Sequence, residues 1–220
     1  MSLPPIKQIK QYNSDQERAN TLTHAIGILL TLISIPFLLY QALPLLSAAQ
    51  LTGLLLFGLS LLMVYSTSTA YHAATQLRLK WLLRKADHIC IYFLTAGTHT
   101  PFVLLYLNNF WGYVYLASLW TLVLIGIFYK VFFFGRWPKL SLAYYLLLGW
   151  MAILIFKPLM DQMPLSGLVW LLVGGVSYTV GTIFYANERL KYSHAIWHLF
   201  VLGGSAGHYI ALFASVLAFE

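Results

Sequence analysis

Charge and cysteine are what this sequence has least of. Only 9% of its 220 residues are charged, against 60% hydrophobic, and the mean hydropathy is +0.76. A soluble globule is excluded, because too little polar surface remains to cover a core. The one cysteine, Cys90, rules out an internal disulfide and a thiolate metal site. No Gly-rich phosphate loop, G-x-S-x-G nucleophile elbow or sustained run of charge occurs. The polar opening stretch lacks a short basic n-region and a small-residue cleavage site, so the first apolar segment is expected to stay as a helix, not to be removed as a signal peptide.

What is present in quantity is apolar chain. Runs of roughly the 20 residues needed to cross the hydrocarbon core occur at residues 21–43, 51–72, 87–107, 110–134, 140–157, 165–186 and 195–219. The expected fold is all-α: an integral membrane bundle of seven transmembrane helices forming one domain over 21–220, behind a short arm, 1–20. Twelve of the 13 Lys and Arg residues fall in the arm (Lys7, Lys10, Arg18) and in the second-to-third, fourth-to-fifth and sixth-to-seventh connections, leaving Lys157 alone on the other side. The positive-inside rule then sets the N-terminus in the cytoplasm and the C-terminus outside. The net charge of +7 is therefore topological. Its partner is the anionic cytoplasmic leaflet, and nucleic acid is not called for.

This topology brings the ends of three spans to one depth. The second span ends near His72, the third leaves from Asp87, and the seventh leaves from about His194. His194 and His198 are four apart, one turn above each other on a single helix face, and Ser68 and His72 repeat that spacing. Asp87 is the one acid within the expected spans, where an ionisable group is costly unless paired or bound to metal. Three neutral imidazoles suit zinc, and three protein ligands leave the open position of a catalytic site, where a water is activated near neutral pH. Asp87 would serve as general base and Ser68 as a donor to a developing oxyanion or to the water.

Packing roles compete with each assignment. Histidines at helix interfaces bond neighbouring helices without binding anything, and hydroxyl residues such as Ser66 to Thr69 are ordinary packing material in membrane bundles. Asp87 would equally suit the first turn of the third helix as a cap. Asn20 and His24, four apart at the start of the first span, are placed to support the ligands from behind. His88 should point about 100° away from Asp87. His99 and His208 lie about 18 Å and 15 Å further outward, at about 1.5 Å per residue, where they either line a deeper polar cavity or face each other. Gly203 and Gly207 form a small-residue face on the seventh span, and Gly174 and Gly175 are expected to act similarly on the sixth.

Taken together, Glu17-Arg18-Ala19-Asn20-Thr21-Leu22-Thr23-His24, Ser68-Thr69-Ala70-Tyr71-His72, Asp87-His88 and His194-Ala195-Ile196-Trp197-His198 resemble the haemolysin-III-like bacterial membrane proteins. These are a branch of the progestin and adiponectin receptor superfamily, more distantly related to alkaline ceramidases. The resemblance covers almost the whole chain. By position it implies His72, His194 and His198 as zinc ligands with Asp87 and Ser68 close by, in a multi-pass protein of the bacterial cytoplasmic membrane.

Three functions follow as expectations. The first is a zinc-dependent hydrolase, a lipid amidase or esterase, acting on an acyl lipid that enters between helices. The second is a regulator of membrane lipid or fluidity homeostasis in which the metal is structural. The third is a cytolytic protein, as the family name suggests, although the charges avoid the spans and no repeated polar helix face lines a channel.

Overall fold

The structure is a computed structural model that describes residues 12–187 and 189–219. Lys7 and Lys10 of the arm lie outside the described residues. Eight helical segments follow in order: α1 (Ser14–Ala42), α2 (Ala48–Ala73), α3 (Leu77–Tyr106), α4 (Phe110–Phe132), α5 (Pro138–Trp150), α6 (Phe156–Gln162), α7 (Leu165–Ala186) and α8 (Ser193–Leu217). A 3-10 turn, Met151–Ile155, joins α5 to α6, and the three pieces make one span, Pro138–Gln162. Among the described residues, seven helices are thus long and apolar enough to cross a membrane, as the apolar runs indicate.

Local chemistry fixes where these helices start. Asn13 with Gln16, and Ser47 with Gln50, close reciprocal capping boxes that satisfy the first free amides of α1 and α2. Pro138 stands at the first position of α5, where its missing N–H costs nothing. At the C-terminus of α2, Lys80 Nζ donates to the carbonyls of Tyr71 (3.2 Å) and Ala74 (3.1 Å), a cation placed on the negative end of a helix.

α3 is the centre of the bundle. Of its most apolar stretch 72% is buried, against 17% to 50% for the other spans. Large apolar side chains such as Leu29, Ile33, Leu124 and Leu154 face outward on the surrounding helices, as expected where the solvent is lipid. Buried hydroxyls bond back to carbonyls one turn earlier, as Thr31 does to Gly27 and Ser215 to Ala211, so few polar groups meet hydrocarbon unsatisfied.

Two expectations need correction. α3 begins at Leu77, not near 87, and its N-cap is Gln76. Asp87 therefore sits ten residues inside the helix and does not cap it, and Arg78, Lys80, Arg84 and Lys85 lie on helix, not in a loop. The glycines of α7 also differ from each other. A Cβ on Gly174 would stand 2.5 Å from the His208 ring, whereas one on Gly175 would meet nothing. A Cβ on Gly207 would stand 2.9 Å from the Gly174 backbone, so α7 and α8 approach closely through that pair. Gly175 takes no part.

Candidate metal centre

Three helices converge at the end of the bundle where α1 begins and, apart from Lys157, the described cations collect. α2 brings His72 and α8 brings His194 and His198; one ring nitrogen from each lies within 4.8 Å of the others. Nε2 of His72 and Nε2 of His194 are 3.1 Å apart. Tetrahedral zinc with bonds of about 2.0–2.1 Å separates two nitrogens by about 3.3 Å, so the spacing is that of two ligands sharing an ion. The cluster can hold a metal.

Hydrogen bonds behind the rings aim them. Nδ1 of His72 donates to Glu17 Oε2 at 2.7 Å. Nδ1 of His198 lies 3.1 Å from the Asn20 carbonyl and 3.0 Å from Thr23 Oγ1. With Nδ1 carrying the proton, as those acceptors assign, the lone pair of each ring stands on Nε2, where a metal would take it. Carboxylate or carbonyl behind a histidine is the arrangement that orients metal ligands and raises their basicity. Glu17 is held in turn by Lys80, whose Nζ is 2.9 Å from Oε1. The Lys80 side chain is 11% exposed and that of Glu17 18%, so this ion pair is only weakly screened.

α1 contributes more than the sequence reading gave it. Asn20 is buried with its amide 3.4 Å from His72 Nδ1. The His24 ring stacks on His198 with centroids 3.7 Å apart at 14° and meets Tyr65 edge-on at 5.1 Å. Neither ring nitrogen of His24 has a hydrogen-bond partner. Glu17 stands in the motif that carries the resemblance, but the sequence alone gives it no role. Its signal lay in the spacing Glu17, Asn20, His24, which is one helix face once α1 is known to start at Ser14. Tyr12 was missed too. It stacks on His194 at 5.3 Å, and burial pushes its phenol well above the usual tyrosine range, so it remains a neutral donor. The side-chain amide of Gln16 donates to the Lys191 carbonyl and ties α1 to the connection before α8.

Ser68 and Asp87 stand together one turn deeper. Ser68, on α2, faces Asp87 of α3, and its buried hydroxyl has no partner in ordinary hydrogen-bond geometry. A buried donor without a partner costs about 1–3 kcal/mol, which is tolerable where a ligand or water completes it. Asp87 is not among the groups whose donor atoms meet. Its contact is with Ser68, outside the ligand set. His88 turns away: its ring meets Phe134 at 5.3 Å and its carbonyl accepts from Tyr145. His99 and His208 form a separate outer layer, the first bonded to the Tyr115 hydroxyl at 2.5 Å, the second to the Gly204 carbonyl at 2.7 Å and stacked on Tyr178.

Comparison with known proteins gives the family of the chain. The family model described as haemolysin-III related matches residues 12–209. The chain is 42% identical to the hemolysin-3 homolog of Bacillus subtilis (strain 168) over 197 residues, covering 90% of this chain and 92% of that protein. It is 39% identical to hemolysin-3 of Bacillus cereus over 202 residues, covering 92% of each. The monocyte to macrophage differentiation factor of Homo sapiens is 27% identical over 168 residues, 71% of this chain and 67% of that protein. No solved structure matches. A seven-span bundle, a buried histidine triad and similarity over nearly the full length lead to one assignment: the chain belongs to the haemolysin-III-related family of membrane proteins.

Proposed function

We propose that this protein is a zinc-dependent hydrolase that cleaves an acyl lipid, amide or ester, inside the membrane. The observation that carries the reading is the pair of facing Nε2 atoms of His72 and His194, with His198 beside them and hydrogen bonds fixing His72 and His198 from behind. All-nitrogen ligation by neutral imidazole suits zinc, and three protein ligands leave a fourth position open. A zinc ion held there supplies a water nucleophile at neutral pH, by lowering the pKa of that water to about 7.

The chain's own residues do the rest. Asp87 takes the proton as the nucleophile attacks the acyl carbonyl, and returns it to the leaving amine or alcohol. Ser68, whose hydroxyl is otherwise unpartnered, donates to the developing oxyanion. Glu17 keeps His72 in one tautomer. The positive-inside rule places this end of the bundle at the cytoplasmic face of a bacterial plasma membrane, so the substrate comes from the inner leaflet.

Metal content of purified wild type and of a His194→Ala, His198→Ala double variant tests the site first. About one zinc per chain, lost in the variant, is expected. Asp87→Asn should keep the metal and lose about 10²–10⁴ in turnover of lipid amides or esters. A well-folded wild type that takes up no zinc when supplied with it ends the reading.

A second reading keeps the zinc and drops the turnover. His72 and His198 are almost wholly buried, and the cluster knits α1, α2 and α8 together, as a structural ion would. On that reading the protein reports or regulates membrane state, and His198→Ala lowers stability while no lipid is cleaved by the wild type.

A further inference from the structure

A groove of about 890 Å³ opens beside the histidine cluster, between the start of α1 and the corner joining α2 to α3. Its walls are Ser14, Arg18, Leu22 and Ala25 on one side and Ala73, Ala74, Thr75 and Leu77 on the other, and His72, Glu17 and Lys80 stand among its lining residues. The volume is that of a small-molecule pocket, about 300–1,000 Å³. Leu22 is 63% exposed and Leu77 47% exposed, so the groove is open to lipid along its apolar edge.

Its charge is unbalanced. The carboxylate of Glu17 is shared between His72 and Lys80 and is neutralised within the floor. Arg18 lies exposed at the rim, and among the described residues no carboxylate pairs with it. The groove therefore presents a cationic rim, an apolar wall continuous with the bilayer, and a floor next to a metal ligand. From Arg18 to Ala25 is about 10 Å along the helix, room for a headgroup and for the acyl linkage beneath it.

We propose that this groove is the headgroup site and lateral access route of an anionic membrane lipid. The phosphate or carboxylate of the lipid sits on Arg18, its chain lies against Leu22, Ala25 and Leu77, and the Glu17–Lys80 pair behind His72 forms the floor beneath it. This deepens the hydrolase reading. It rests on that reading for the fate of the lipid, though not for its binding.

The test reads binding without turnover. Wild-type protein in phosphatidylcholine nanodiscs receives a trace of phosphatidylglycerol or phosphatidylcholine carrying a photoactivatable acyl chain, and crosslinks are mapped by peptide mass spectrometry. The phosphatidylglycerol probe should label residues 18–25 and 73–77 about fivefold more than the phosphatidylcholine probe. Arg18→Gln should remove that preference, since one interfacial cation is worth about a fivefold change, and Arg18→Lys should restore it. Ala25→Trp should block labelling by both probes. Equal labelling by the two headgroups, labelling indifferent to Arg18→Gln, or competition by millimolar inorganic phosphate overturns the proposal, the last by assigning the cation to a soluble anion. If Arg18→Gln fails to fold, the two probes on wild type still decide. Failure here leaves hydrolysis untouched, and absence of hydrolysis leaves the labelling result standing.

Discussion

Removing the carboxylate behind His72 should weaken metal binding in two graded steps. Glu17 Oε2 accepts from His72 Nδ1 at 2.7 Å, a charge-assisted bond in a site only 18% open on the glutamate side. Loss of such a supporting carboxylate typically costs 10–100-fold in metal affinity, about 1.4–2.7 kcal/mol. Glu17→Gln keeps a neutral acceptor for the Nδ1–H, so the tautomer survives while the ring loses basicity, and the lower end, about tenfold, is expected. Glu17→Ala removes tautomer control as well and should approach 100-fold. Lys80→Met separates this from general damage. It frees the carboxylate to act on His72 alone, so zinc affinity should hold, while the carbonyls of Tyr71 and Ala74 lose their donor and folding stability falls by about 1 kcal/mol. Competition against a chromophoric zinc chelator in detergent, at fixed pH and salt, reads all three variants. Wild-type affinity in Glu17→Ala would show that the contact does not support a ligand, and the geometric argument would fail with it.

Other variants test other contacts. His24→Phe keeps the stack on His198 and removes two buried nitrogens without partners, so zinc affinity should stay within about threefold; a loss beyond tenfold in the same titration would make His24 a ligand. Ser68→Ala should retain zinc and lower turnover by about 10²–10³-fold, the usual cost of one oxyanion donor, and unchanged turnover would return Ser68 to packing. Gly174→Ala forces a methyl to 2.5 Å from the His208 ring and should cost about 1–3 kcal/mol of stability by overpacking. Gly175→Ala, with nothing nearby, should be neutral or slightly stabilising in the same thermal melts; equal effects at both positions would refute the packing distinction.

The spans and the histidine triad were legible because hydrocarbon imposes a length on apolar runs and because i, i+4 spacing survives in any helix. Helix boundaries were less so. Hydropathy ends a span at its first charges, yet α3 continues through Arg78, Lys80, Arg84 and Lys85, since long cationic chains reach the interface from a helical backbone. That shift moved Asp87 from a cap into the interior. Likewise, treating residues 14–20 as an arm hid Glu17, whose role depends on α1 reaching Ser14 and on the fold of a distant corner carrying Lys80. Gly174 and Gly175 could not be separated by spacing, because which face of α7 meets α8 is a tertiary fact.

The metal centre draws its groups from Glu17 and Asn20, then from His72, then from His194 and His198. During synthesis a ribosome delivers these in order, and the first two sets reach the membrane long before the last helix exists. A chain stopped anywhere ahead of α8 holds a glutamate, a lysine and a lone imidazole with nothing to complete them. Whatever the triad binds is thereby withheld from every unfinished copy, because two of its three rings lie on α8.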